Sequence, residues 1–307
     1  MTPGRMKTPP PAEATVTAPK PGFLRGHWRL IKTVALWLGA GIGMAAIWAL
    51  IEPHTLSVTR ITVTKPDVPP ALNGFKIAQI SDIHAGPFVS RAYVRRAVRT
   101  VNALDPDLVA ITGDYVYQSD EYIVPVFADL SGLRSRYGIY SVFGNHDYWR
   151  DMALMKREMK KAGIEDITGR SVWVSARGSR FNLLGLSADW SSVYQLWALP
   201  RSLWPKDLVI LLFHNSDFLK QLSPQIVDLA LGGHTHGGQV TLFGLFAPFL
   251  PSPIEQKYRA GVIENGPETV VVSRGLGTIG LPLRFFSPPE IILITLEHED
   301  GEAGSGK

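Results

Sequence analysis

His234 and His236 lie one residue apart in LGGHTHGGQ (231–239), with a glycine pair on each side. Glycines offer little to pack against, which makes a core role a poor account of this pair. They do allow positive φ angles and close approach of the backbone to another group. Four further polar clusters follow apolar runs: Asp82 and His84 in SDIHAG, Asp114 in TGDY, Asn145, His146 and Asp147 in GNHDYW, and His214 in FHNSD. Five of the eight histidines fall in these clusters, whereas His27, His54 and His298 do not. Any one cluster reads equally well as a turn or a core histidine. Together they supply imidazoles, carboxylates and one amide oxygen, the donors that hard-to-borderline divalent metals take. So many polar groups left unpaired in a crevice would be costly, and a metal pair removes that cost. In extended backbone, side chains two apart share a face, so Asp82 with His84, and His234 with His236, can each address one centre. The chain has no cysteine, which excludes disulfides, thiolate metal sites and cysteine nucleophiles.

These groups need a scaffold that brings strand ends together. Short apolar runs at 75–81, 107–113, 138–144, 207–213 and 226–233 predict buried strands, each ending at a polar cluster. Segments 90–104 and 150–163 predict helices, and late strands are expected at 269–275 and 290–297. The alternation implies an α/β fold whose strand ends converge on one rim. Upstream, residues 1–32 are basic and expected to be disordered, and Thr33–Ile51 is an uncharged run about 30 Å long as a helix, enough to cross a bilayer. Trp37 and Trp48 lie toward its ends, and no small-residue cleavage site precedes Glu52, so an uncleaved anchor is expected. Lys20, Arg25, Arg29 and Lys32 precede the run while only Arg60 and Lys65 follow closely, which places the domain outside the cytoplasm. The net charge of +4 belongs to this leader; beyond residue 32 there are 25 basic and 26 acidic residues, which argues against a nucleic-acid partner. The organisation predicted is therefore a tail (1–32), an anchor (33–51), a catalytic domain (55–298) and a disordered end (299–307).

The ordered set Asp-x-His, Gly-Asp, Gly-Asn-His-Asp, His and Gly-His-x-His over residues 75–240 resembles the calcineurin-like metallophosphoesterase superfamily. The anchor, GGHTHGGQ and the closing segment 273–296 are similar to its small membrane-associated bacterial branch, which includes phosphodiesterases and a UDP-2,3-diacylglucosamine hydrolase of lipid A synthesis. The resemblance implies a four-layer αββα sandwich with a dimetal site at strand ends, taking Mn, Fe, Zn or Mg. It implies Asp82, His84 and His236 on one metal, Asn145, His214 and His234 on the other, and Asp114 bridging. His146 would stand near the leaving-group oxygen as proton donor. Many family members carry an acidic residue three positions after the bridging aspartate to support that histidine; here Tyr117 stands there, so support is absent or comes from Asp147.

The activity implied is hydrolysis of a phosphodiester or pyrophosphate at the bacterial inner membrane. A broad phosphomonoesterase and a noncatalytic metal-binding scaffold are the alternatives. Two aromatic loops, 190–205 (Trp190, Trp197, Trp204) and 241–254 (Phe243, Phe246, Phe249), read either as core or as a lip touching the bilayer or an acyl chain. A lip would favour a lipid-linked substrate, although UDP-diacylglucosamine is made in the cytoplasm while the flanking charges point the domain outward. Arg274 and Arg284 stand open between a phosphate contact and a structural role.

Overall fold

The computed structural model describes residues 21–188, 207–217, 227–251, 255–266 and 268–299. The expectations for residues 1–20, the tryptophan-bearing loop 190–205 and the end at 300–307 lie outside them. The chain divides into two compact units, residues 1–46 and 47–307.

Helix α1 runs from Pro21 to Ile51. Its stretch from His27 onward is long and apolar enough to cross a membrane, and none of the span is buried in protein. The helix takes in residues 21–32, which were expected as part of the tail. Proline suits a first helical position, and no further proline interrupts the run before Pro53.

In the second unit the elements run β1 (Ser57–Lys65), β2 (Phe75–Ile80), α2 (Arg91–Ala103), β3 (Leu108–Thr112), α3 (Ile123–Leu130), β4 (Ile139–Val142), α4 (Met152–Lys161), β5 (Glu165–Asp166), β6 (Ser171–Ala176), β7 (Ser179–Gly185), β8 (Val209–Asn215), β9 (Leu229–Gly233), β10 (Gly261–Asn265), β11 (Glu268–Val272) and β12 (Glu290–His298). They build two six-stranded sheets, ordered β1-β12-β2-β3-β4-β5 and β10-β11-β9-β8-β7-β6. Strands β2, β3 and β4 are parallel, as are β7, β8, β9 and β11. Antiparallel pairs lie at β12–β2, β10–β11 and β6–β7.

The two-residue strand period partitions the core. Ile77, Leu108, Ala110 and Val142 face the second sheet's Phe181, Leu183, Ile210, Leu212 and Leu231. Their neighbours Ala78, Ile80, Val109 and Ile111 face Val94, Val98 and Val101 of α2, Phe127 of α3 and Met155 and Met159 of α4. Each large apolar side chain buried this way contributes roughly 1.5–3 kcal/mol. Ser90 and Asp151 cap α2 and α4 by accepting from Tyr93 N and Leu154 N. The fold is thus an α/β sandwich of mixed sheets, with α2, α3 and α4 outside the first sheet.

The strands expected from apolar runs all form. Helix α3 and strands β1, β5, β6, β7 and β10 were not expected; β1 and β6 are partly exposed edge strands without a continuous apolar run, whereas β7 is a mostly buried inner strand.

Candidate metal centre

The loops leaving β2, β3, β4, β8 and β9 meet at one rim. The first two pair with each other, with Asp82 N donating to Gly113 O, His84 N to Asp114 O and Ala85 N to Tyr115 O at 2.9–3.0 Å. This pairing sets Asp82, His84 and Asp114 side by side. Asp82, His84 and His236 offer ligand atoms within 4.8 Å of one another, as do His84, Asp114 and His146, and likewise Asp114, His214 and His234.

Asp114 is the common member. Its Oδ2 lies 3.4 Å from His84 Nε2 and 3.1 Å from His214 Nε2. On the first flank, His236 Nε2 is 3.2 Å from His84 Nε2 and 3.4 Å from Asp82 Oδ1. Two ring nitrogens so close, with carboxylate oxygens beside them, form a cradle for a cation. On the second flank His214 Nδ1 is satisfied by Thr112 O at 2.7 Å, which turns Nε2 to Asp114 Oδ2, while the buried Asn145 Oδ1 in the loop after β4 has no hydrogen-bond partner. A buried acceptor left open costs about 1–3 kcal/mol unless something occupies it. The nitrogen-and-oxygen donor set suits divalent ions. The arrangement thus forms two clusters consistent with a dinuclear metal site.

The backbone reaches this geometry differently from the extended pattern expected. Asp82, His84, Asp114, His234 and His236 all have φ between 47° and 74°. Left-handed conformations are uncommon outside glycine, though Asp and His adopt them more readily than bulky residues. Each pair still converges on one centre, but through left-handed residues at the strand end. The glycines around His234 and His236 admit close neighbours. A Cβ on Gly233 would collide with Ser81 Oγ and Asp82 Oδ2, one on Gly232 with the Phe213 ring, and one on Gly238 with Ala247.

Asp147 does not support His146. Its carboxylate is fully buried and accepts from Tyr115 N (2.9 Å) through Oδ1, and from Asp114 N and Gly144 N (both 2.8 Å) through Oδ2. It clamps the loops after β3 and β4 together, which corrects the pairing expected from its adjacency. His146 N donates to Asp114 Oδ1 at 2.9 Å, and the His146 ring packs 4.6 Å from Trp149 and 5.8 Å from Tyr117. Tyr117 thus forms an aromatic wall, and its hydroxyl accepts from Gly280 N at 3.0 Å.

Two groups, Ser81 and Thr112, were not expected from the sequence, and Arg284, left open between a phosphate contact and a structural role, proves structural. Ser81 Oγ donates to Asp82 Oδ2 at 2.5 Å. Thr112 O orients His214. Arg284 is wholly buried and donates to the carbonyls of Ser287 and Arg274 at 2.8 Å, near that of His236. Arg274 donates through its side chain to Glu290 Oε2 at 2.6 Å. Both arginines therefore buttress loops. The roles of Thr112 and Arg274 have no local sequence signal, because their partners His214 and Glu290 lie 102 and 16 residues away.

Burial lowers His84 and His234 to about 3 and holds His236 well below its ordinary value, so these imidazoles are neutral, the state a metal would require. Burial, with the negative charge of Asp114, raises Asp82 to about 6 and Asp147 to about 7. Burial also lowers His146, against the pull of Asp114. At His214 burial favours the neutral ring, but the Asp114 carboxylate outweighs it and pushes the value up to about 10.

An α/β sandwich carrying a two-metal N/O centre at its strand ends defines a hydrolase scaffold of the metallophosphoesterase class. Residues 75–238, more than half the chain, match the calcineurin-like phosphoesterase family, and the chain belongs to that family. It is 30% identical over 282 residues to the uncharacterized metallophosphoesterase YkuE of Bacillus subtilis (strain 168), covering 90% of this chain and 96% of that one. It is 32% identical over 259 residues to a transmembrane protein with metallophosphoesterase domain from Bos taurus, spanning 78% of this chain but 57% of that protein. Phosphodiesterase YaeI of Escherichia coli (strain K12) is 29% identical over 227 residues, covering 72% and 82%. Fold and centre support a metal-dependent phosphoesterase activity.

Proposed function

We propose that this protein hydrolyses a phosphodiester or pyrophosphate bond at a bacterial inner membrane, with its catalytic domain on the extracytoplasmic side. In this reading Asp82, His84 and His236 would hold one divalent ion, Asn145, His214 and His234 would hold the other, and Asp114 would be shared by both. The observation that carries it is the single Asp114 oxygen set between His84 and His214. Two divalent ions there would supply activation of water and neutralisation of charge on the phosphoryl group. The protein's own part is positional. Asp147 and the paired rim loops hold Asp114, Thr112 O orients His214, and His146 delivers a proton to the departing oxygen, a contribution of about 10²–10⁴-fold. The apolar helix and the phosphodiesterase name of the E. coli relative favour a lipid-linked phosphodiester or pyrophosphate; UDP-2,3-diacylglucosamine, a pyrophosphate, is a candidate only for a domain that faces the cytoplasm.

The test is turnover by the full-length chain with Mn²⁺ added, on bis-p-nitrophenyl phosphate, p-nitrophenyl phosphate and the UDP-linked lipid, beside Asp114→Ala. The expected outcome is diester hydrolysis, lost together with metal in the variant. Preference for the monoester would favour a broad phosphomonoesterase, and metal binding without any turnover would favour a scaffold. Full activity and full metal content in Asp114→Ala would sink the dinuclear reading.

A further inference from the structure

The loop that follows the metal ligand His236 carries no charged residue from Gly237 to Ile254. It turns its apolar side chains to solvent: Phe243 is 77%, Leu245 81% and Phe249 85% exposed, and Phe246 is exposed as well. Leu242 N donates to Phe246 O and Leu245 N to Leu242 O, a tight turn with Phe243 at φ 53° and Gly244 at φ 73° at its tip. Two consecutive positive φ angles mark a primed hairpin turn, where Asn, Asp or Gly is usual at the first position. A phenylalanine there bears backbone strain without the return of burial. A second segment joins the same patch. Thr241 N donates to Phe285 O, Phe285 N donates to Gln239 O, Phe243 packs 5.6 Å from Phe286, and Leu281 is exposed nearby in sequence.

This second segment is bonded to the residues at the end of the apolar helix. Arg284 N donates to Ala49 O at 3.0 Å, and Phe286 N and Ser287 N donate to the Glu52 carboxylate at 2.9 and 2.6 Å. Glu52 also accepts from Trp48 Nε1 at 2.7 Å. The patch is therefore continuous with the place where the chain leaves the span. It is also continuous with the metal centre: Ser287 Oγ donates to His236 O at 2.9 Å, and Gly238 lies against Ala247.

We infer that Phe243, Leu245, Phe246, Phe249, Leu281 and Phe286 form a platform that inserts into the interfacial layer of the membrane holding the anchor. Exposed aromatic and aliphatic side chains without charge are what the boundary between headgroups and acyl chains accepts. A short tie through Ala49 and Glu52 bonds the platform to the residues that end the helix. The metal centre then opens beside the headgroups, so the scissile phosphoester is presented by a lipid in the same leaflet. This last step rests on the phosphoesterase reading; the insertion itself does not.

The chain has no cysteine, so single-cysteine variants label cleanly. Full-length Leu245→Cys and Phe249→Cys, with Lys160→Cys on exposed α4 as control, would carry a nitroxide in vesicles of phosphatidylcholine and phosphatidylglycerol. Labels at 245 and 249 are expected to be roughly tenfold less accessible to an aqueous nickel chelate than the label at 160, and more accessible to oxygen. Equal nickel accessibility at all three sites overturns the proposal. So does spin–spin broadening that vanishes on dilution with unlabelled protein, which would make a second copy the occupant. The triple change Phe243→Ser, Leu245→Ser, Phe249→Ser should lower hydrolysis of a vesicle-embedded diester about tenfold and leave bis-p-nitrophenyl phosphate turnover unchanged. Inserted labels in a protein without phosphoesterase activity would overturn the proposed function and leave the platform standing.

Discussion

His214 Nε2 stands 3.1 Å from Asp114 Oδ2, inside a buried centre. Without metal the two form a buried ion pair, because Asp114 pushes His214 up to about 10 against the effect of burial. A value raised above the ordinary 6.5 means the pair's contribution is complete below pH 6.5 and fades as pH rises through about 10. Metal requires the neutral ring, so binding near pH 7 expels that proton and tightens about tenfold per pH unit toward pH 10. Melting temperatures with and without Mn²⁺ should diverge between pH 7 and 9. A constant difference would show that His214 is not a ligand.

His146 meets the cluster through its backbone N–H to Asp114 and through its ring, which lies 4.9 Å from that of His84 and also packs on Trp149 and Tyr117. His146→Ala should retain metal and lose about 10²–10⁴-fold in turnover on a diester with an alkyl leaving group. The loss should be much smaller with p-nitrophenolate, which departs without a proton. Equal losses on both substrates would assign His146 to metal binding or folding.

Asp147→Asn separates a clamp from a proton-relay partner. The amide cannot accept at both former oxygen positions, so at least one buried backbone N–H among Asp114, Tyr115 and Gly144 loses its acceptor. Urea unfolding should show a loss of about 1–3 kcal/mol, with metal content reduced in parallel. Unchanged stability with turnover lost would restore the role as partner of His146.

Much of the fold is legible in short stretches. The runs at Phe75–Ile80, Leu108–Thr112, Val209–Asn215 and Leu229–Gly233 are buried on both faces, so nearly every residue is apolar and the signal is strong. Strands β1 and β6 have exposed faces, and their patterns are weaker for that reason.

The sequence by itself determined the donor types at each strand end, the uncharged helix and the glycines beside His234 and His236, because these are properties of neighbouring residues. Tertiary structure alone decided where those groups point. Asp147 turns to three amides from two loops, Arg284 is buried among carbonyls, and Phe243 is left in solvent beside Phe286. The physical reason is that hydrogen-bond satisfaction and burial depend on partners brought together across long chain separations, which a local pattern does not encode.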